Sequence, residues 1–176
     1  MTPDYYIREA TPDDAEQIIA HMKTIADEPN NGITYSSADE FTTTLEEERE
    51  ILRQHQDAEN SIWVVAVTHD ERIFGVANAT GGRRRVSYHT VGLGISIEKE
   101  WRGRGIGTAM IQFIIDWCRL NPVIHRLELG VYTNNPRAIH VYEKLGFINE
   151  GVRREAYFKE GRFVDAYNMA VLFDRI

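Results

Sequence analysis

One seven-residue segment constrains this chain more than any other: Arg102-Gly103-Arg104-Gly105-Ile106-Gly107-Thr108, between an apolar run ending at Ile97 and a helical pattern beginning near Gly105. Glycines there let the backbone approach a ligand closely, and successive N–H groups at a helix N-terminus make an anion site. A pyrophosphate fits such a nest. Each charge-assisted hydrogen bond is worth roughly 1.5 to 3 kcal/mol, so several converging amides hold it without a metal. Arg102 and Arg104 add positive charge where it is wanted. Other glycine loops fail on the letters: a P-loop needs Lys-Ser or Lys-Thr after its second glycine, and G-x-G-x-x-G breaks at Thr108 and lies mid-chain.

Around this segment the periodicity alternates between helix and strand. Tyr5 to Arg8 reads as a first strand, and Thr11-Pro12-Asp13-Asp14 as an N-cap, an N1 proline and acids against the dipole. Ala15, Ile18, Ile19, Met22 and Ile25 follow at helical spacing, ending before Pro29. Asn30-Asn31-Gly32 is a turn signal, and Thr44-Leu45-Glu46-Glu47 has the capping-box spacing that opens a helix to about His55. Ile62 to Val67 and Ile73 to Ala79 form a hairpin around His69 to Arg72, and Val86 to Ile97 continues as strand. A helix from about Gly105 to Leu120 should bury Ile106, Met110, Phe113 and Trp117. Arg126 to Tyr132 alternates as a strand, with Leu127, Leu129 and Val131 on one face and Glu128, Gly130 and Tyr132 on the other. Pro136 to Leu145 reads as a helix stopped by Gly146, and Arg153 to Phe158 and Phe163 to Leu172 as a last hairpin through Glu160-Gly161. This order implies a mixed sheet flanked by helices, an α/β (α+β) architecture in one domain, residues 1–176.

Composition narrows the function classes. The single cysteine, Cys118, excludes an intrachain disulfide and a multi-thiolate zinc site, and a packed thiol is its plain reading. No stretch approaches the ~18 apolar residues of a membrane span, and Met1 to Ile7 has no signal-peptide character, so a complete cytoplasmic chain is expected. Residues 1–60 hold 4 basic and 15 acidic side chains; residues 61–176 hold 16 and 12. A net charge of -7 disfavours nucleic-acid binding. The split suggests an anionic ligand on the later half and a cationic one near the first, unless the acidic helices are merely solvated. Arg83-Arg84-Arg85 reads as a solvated loop, and the six histidines show no metal spacing.

Two segments together identify a relative. Arg102-x-x-Gly105-x-Gly107 resembles the R/Q-x-x-G-x-G/A signature of the GNAT superfamily of acyl-CoA-dependent N-acetyltransferases, and Asn135 to Phe147 resembles its N-x-x-A-x-x-x-Y-x-K-x-G-F. The resemblance covers residues 60–172 well and the first helices in outline. It implies a mostly antiparallel sheet of about seven strands with about four helices, splayed between strands 4 and 5. Acetyl-CoA would serve as co-substrate, with its pyrophosphate on Arg102, Gly103, Arg104, Gly105, Ile106, Gly107 and Thr108. Its pantetheine arm would lie along Ile95, Ser96 and Ile97, with Asn135 bonding the arm and Tyr142 near the sulfur.

The resemblance implies direct attack of a primary amine on the thioester in a ternary complex, with Tyr142 as general acid. A phenol of pKa about 10 is protonated at pH 7. A catalytically quiet acyl-CoA-binding regulatory domain is the alternative, because the base is missing. A lysine-like amine needs roughly 4.6 kcal/mol to be neutral at pH 7, an α-amino group only about 1.1. The family's glutamate positions fall here on Val91, Gly92 and Gly130. Glu128, His89 and a water chain remain the alternatives. The acceptor would be a small amine, a polyamine or a peptide N-terminus, and the loop with Glu28, Tyr35 and Glu40 would line its site. The last hairpin resembles elements through which members homodimerise.

Overall fold

The computed structural model of the chain describes residues 4–29 and 31–174, so Asn30 of the expected turn and the first three residues lie outside the described residues. Seven strands form one sheet in the order β1-β2-β3-β4-β5-β7-β6. They are β1 (Tyr5–Glu9), β2 (Ile62–Thr68), β3 (Ile73–Gly81), β4 (Thr90–Ile97), β5 (Arg126–Tyr132), β6 (Ile148–Lys159) and β7 (Arg162–Leu172). Four helices flank it: α1 (Ala15–Ala26), α2 (Leu45–Asp57), α3 (Ile106–Leu120) and α4 (Pro136–Lys144). Every pairing is antiparallel except β4 with β5, whose connection through α3 is the crossover a parallel pair requires.

Both faces of the sheet are covered, so the central strands read as continuous apolar runs. On β2, Ile62, Val64 and Ala66 pack with α3, while Val65 and Val67 pack with α1 and α2. The start of α1 is fixed by Asp14, which accepts the Thr11 N–H (2.7 Å) and both arms of Arg8 (2.7 and 2.8 Å). Thr44 caps α2 by accepting the Glu47 N–H (3.3 Å), and the Glu47 carboxylate accepts the Thr44 N–H (2.8 Å) in return.

Three expectations are corrected. Val86 is not in a strand: Arg85–Ser87 form a 3-10 turn, and Asn60 Nδ2 folds the segment by donating to Gly82 O (3.1 Å) and Tyr88 O (3.0 Å), leaving Val86 in solvent. On α3 the buried stripe runs through Ile106, Met110, Ile111, Ile114, Ile115 and Cys118, with Phe113 and Trp117 only half-buried at its rim. The strand expected from Arg153 begins at Ile148; bulges at Asn149/Gly151 and Arg153/Tyr157 and exposure on both faces remove the alternation that would mark it.

Candidate active site

The site follows from an interrupted pairing. β4 and β5 pair only through Thr90↔Arg126, Val91↔Leu127 and Gly92↔Glu128. Beyond Gly92, β4 stays with β3 to Ile97 and β5 stays with β7 to Tyr132, so the two part. The facing backbone edges of 93–97 and 129–132 open as a splayed gap, as expected. Ile95 and Ile97 pack toward the α3 face, and Ser96 turns to α1.

At the mouth of this gap stands the α3 N-terminus. Gly105 caps the helix at φ 80°, a left-handed conformation that an L side chain adopts only with strain. The Ala109 N–H bonds the Gly105 carbonyl (3.0 Å), so the N–H groups of Ile106, Gly107 and Thr108 have no carbonyl one turn back. No acid occupies the first turn. Arg104 lies over the Trp101 ring, 5.1 Å from its centroid. Arg102 donates from Nε to Ile97 O (2.7 Å) and pairs with Glu28, which anchors the segment after α1. The fit to a pyrophosphate therefore rests on the amides.

Tyr142 on α4, like Leu93 and Ile95 of β4, belongs to the α3-side core yet lines a pocket that also takes in Met22, Trp63 and Val76 from the opposite face; the gap joins the two sides. Burial pushes its phenol up to about 12. Asn135 uses Oδ1 to cap α4, accepting the Ala138 N–H (3.2 Å), and its Nδ2 faces Gly32. A side chain at Gly94 would close the pocket's β4 wall, its Cβ falling 2.6 Å from Asn78 Oδ1.

This pocket, about 390 Å³, is roofed by the loop after α1. The Tyr132 hydroxyl donates to Ile33 O (2.9 Å), and Lys159 Nζ donates to Ile33 O (2.8 Å), Tyr35 O (3.3 Å) and Asn31 Oδ1. Of the loop residues expected to face the acceptor, Tyr35 lines the pocket, Glu28 is paired with Arg102, and Glu40 is exposed. Below β4, buried His21 shares a 2.8 Å hydrogen bond between Nε2 and Ser96 Oγ, with Nδ1 3.9 Å from the Glu98 carboxylate. The nearby His21 ring and the ion pair with Arg72 outweigh burial and hold Glu98 below the usual carboxylate range.

Neither proposed base lines the pocket. Glu128 accepts from Arg126 Nε (2.7 Å) in an ion-pair chain with Glu150, and His89 precedes β4 at the closed end of the pair. The carboxyl that does line it is Glu48, on α2, which sequence reasoning missed. One signal was available: Glu48 stands four residues before buried Leu52, on the stripe of α2 where apolar residues belong. Cys118 is packed and desolvation lifts its thiol to about 12. Among the described residues no group of three His, Cys, Asp or Glu could hold a metal ion, and no helix is long and apolar enough to cross a membrane.

A family model described as the acetyltransferase (GNAT) family matches residues 30–147. The L-amino acid N-acetyltransferase of Escherichia coli is 37% identical over 82 residues, 47% of this chain and 51% of that protein. The spermidine N(1)-acetyltransferase of Vibrio cholerae is 35% identical over 78 residues, 44% of this chain and 45% of that protein. The chain thus spans about half the length of these curated relatives. A crystal structure of a GNAT-family acetyltransferase from Streptococcus pneumoniae superposes with a TM-score of 0.91 at 30% identity, covering 96% of this chain and 99% of that one.

Proposed function

Because the chain belongs to the acetyltransferase (GNAT) family, we propose that residues 1–176 act as one enzyme domain that transfers an acetyl group from acetyl-CoA to a primary amine, by direct attack in a ternary complex. The observation that carries this reading is the gap between β4 and β5, with an amide nest at its mouth and Tyr142 in the pocket wall. Bound acetyl-CoA supplies an acetyl thioester. The N–H groups of Ile106, Gly107 and Thr108 hold the pyrophosphate, with the turn set by Gly103 and Gly105 and the potential raised by Arg104. Arg102 braces that turn against Ile97 and Glu28. The gap-facing backbone of Ile95, Ser96 and Ile97 and the Asn135 side chain bind the pantetheine amides.

Tyr142 holds a proton for the leaving sulfur. A phenol lifted to about 12 is fully protonated at neutral pH, and a thiolate formed in the same dry site is raised by the same burial. The amine forms the new C–N bond as the C–S bond breaks, the sulfur takes the phenolic proton, and the nitrogen's surplus proton returns to the phenolate. Initial-rate kinetics of free-thiol release with an amine panel test this. Intersecting double-reciprocal lines are expected; parallel lines would replace direct attack by an acetyl-enzyme, and no thiol release from any amine would overturn the transfer itself.

The long β6 forms a free sheet edge, and Ile148, Val152, Phe158 and Phe163 are exposed on its hairpin. These residues support a homodimer formed by two copies of this edge, which light scattering would register as a doubled mass. A fold that relies on no disulfide, its one cysteine being packed in the core, needs no oxidising compartment, which supports a cytoplasmic location.

A further inference from the structure

Glu48 is a buried carboxyl that its own fold leaves unpaired. Its side chain is 2% exposed on the inner stripe of α2, and among the described residues its Oε1 has no hydrogen-bond partner and its carboxylate no cation. A buried carboxylate without a partner loses its hydration and gains nothing in return, so such a group calls for a ligand. Burial duly pushes its carboxyl above the usual range.

The surroundings say which ligand. Glu48 is the one charged residue lining the pocket, and six aromatic side chains share the lining: Tyr35, Phe41, Trp63, Tyr132, Tyr142 and Tyr157. The nearby cation, Lys159, spends its ammonium on the carbonyls of Ile33 and Tyr35 and on Asn31, above the Tyr132 ring. A second carboxylate, which a polyamine would need, and a cation, which an amino acid's carboxylate would need, are both absent from this lining. Aromatic faces suit an apolar body and favour a cation beside them.

We propose that Glu48 is the ammonium site of the acceptor, a primary amine on an uncharged aromatic or apolar body, and that its carboxylate takes the proton that frees the nucleophile. One N–H bond of the ammonium breaks, an O–H bond forms on Glu48, and the electron pair left on nitrogen makes the bond to the acetyl carbon. This rests on the acetyl-transfer reading above and supplies the base that β4 and β5 lack at Val91, Gly92 and Gly130.

Tyramine, L-tyrosine and spermidine serve as probes; the first two differ only in the carboxylate. The wild type is expected to turn over tyramine with a kcat/KM at least about tenfold above either other amine. Glu48→Gln should lower kcat/KM for tyramine about 10²-fold and leave the acetyl-CoA Kd within about twofold. It should also match or raise the melting temperature at pH 8. The sign follows from linkage: a carboxyl whose folded pKa is raised contributes stability below its unfolded pKa that is lost as pH rises through the folded value, and glutamine does not ionise. Preference for L-tyrosine or spermidine, or undiminished turnover by the variant, overturns the proposal while leaving acetyl transfer intact. A variant that melts well below the wild type marks Glu48 as structural and overturns it too. Thiol release with none of a wide amine panel sinks the acetyl-transfer reading itself.

Discussion

The two groups proposed to carry the proton chemistry have pKa values moved by one cause with opposite meaning. Desolvation disfavours the charged form of each, which keeps the Tyr142 phenol a donor at about 12 and makes the Glu48 carboxyl a better proton acceptor. Tyr142→Phe should therefore lower kcat about 10²-fold with little change in the acetyl-CoA Kd. Its acid form persists far above neutrality, so the wild-type kcat should show no alkaline limb from this group below about pH 10. An alkaline limb below pH 9 that vanishes in the variant would contradict the assignment. The place of Tyr142 in the pocket wall could be anticipated from the sequence because it shares one local segment with Asn135, Gly146 and Phe147. That of Glu48 could not, because its burial depends on how α2 docks beneath strands that come later in the chain, and among Glu46, Glu47, Glu48 and Glu50 only Glu48 is buried.

At the level of the element, α2 links local capping to the site. Thr44 and Glu47 exchange hydrogen bonds at its start, and Glu48 lies one turn in. Thr44→Ala should cost about 1 kcal/mol in urea unfolding. Because the frayed turn carries Glu48, the acceptor KM should rise while the acetyl-CoA Kd, set on α3, stays put; equal loss in both would break this connection. The bond from the Thr44 N–H chiefly lowers the Glu47 pKa, so the wild type's advantage exists above the usual glutamate range and fades as pH falls through the lowered value. Helices with caps and apolar stripes, and the β2–β3 hairpin, were readable from the sequence because their signals are local. β6 was hidden because an edge strand exposed on both faces carries no alternation, and Val86 misled because an isolated exposed apolar residue imitates one.

For the whole molecule, the decisive feature is that one sheet is left unzipped along part of its middle. β4 and β5 are each held by their other neighbour, so the gap persists without unfolding either strand, and the exposed edges are a standing place for a ligand's amides. Ligand that binds only the folded state stabilises it by mass action: at one hundred times Kd the gain is about 2.7 kcal/mol, which for a domain of this size raises the melting temperature by roughly 5 to 11 °C. Acetyl-CoA should produce that shift. It should also slow hydrogen exchange at the gap-facing amides of 93–97 and 129–132 and at the first turn of α3. The β1–β2 ladder, already paired throughout Tyr5 to Glu9, should gain little. A thermal gain without protection along the gap would mean that the coenzyme binds elsewhere, because filling this gap supplies partners only to the edges that the sheet leaves free.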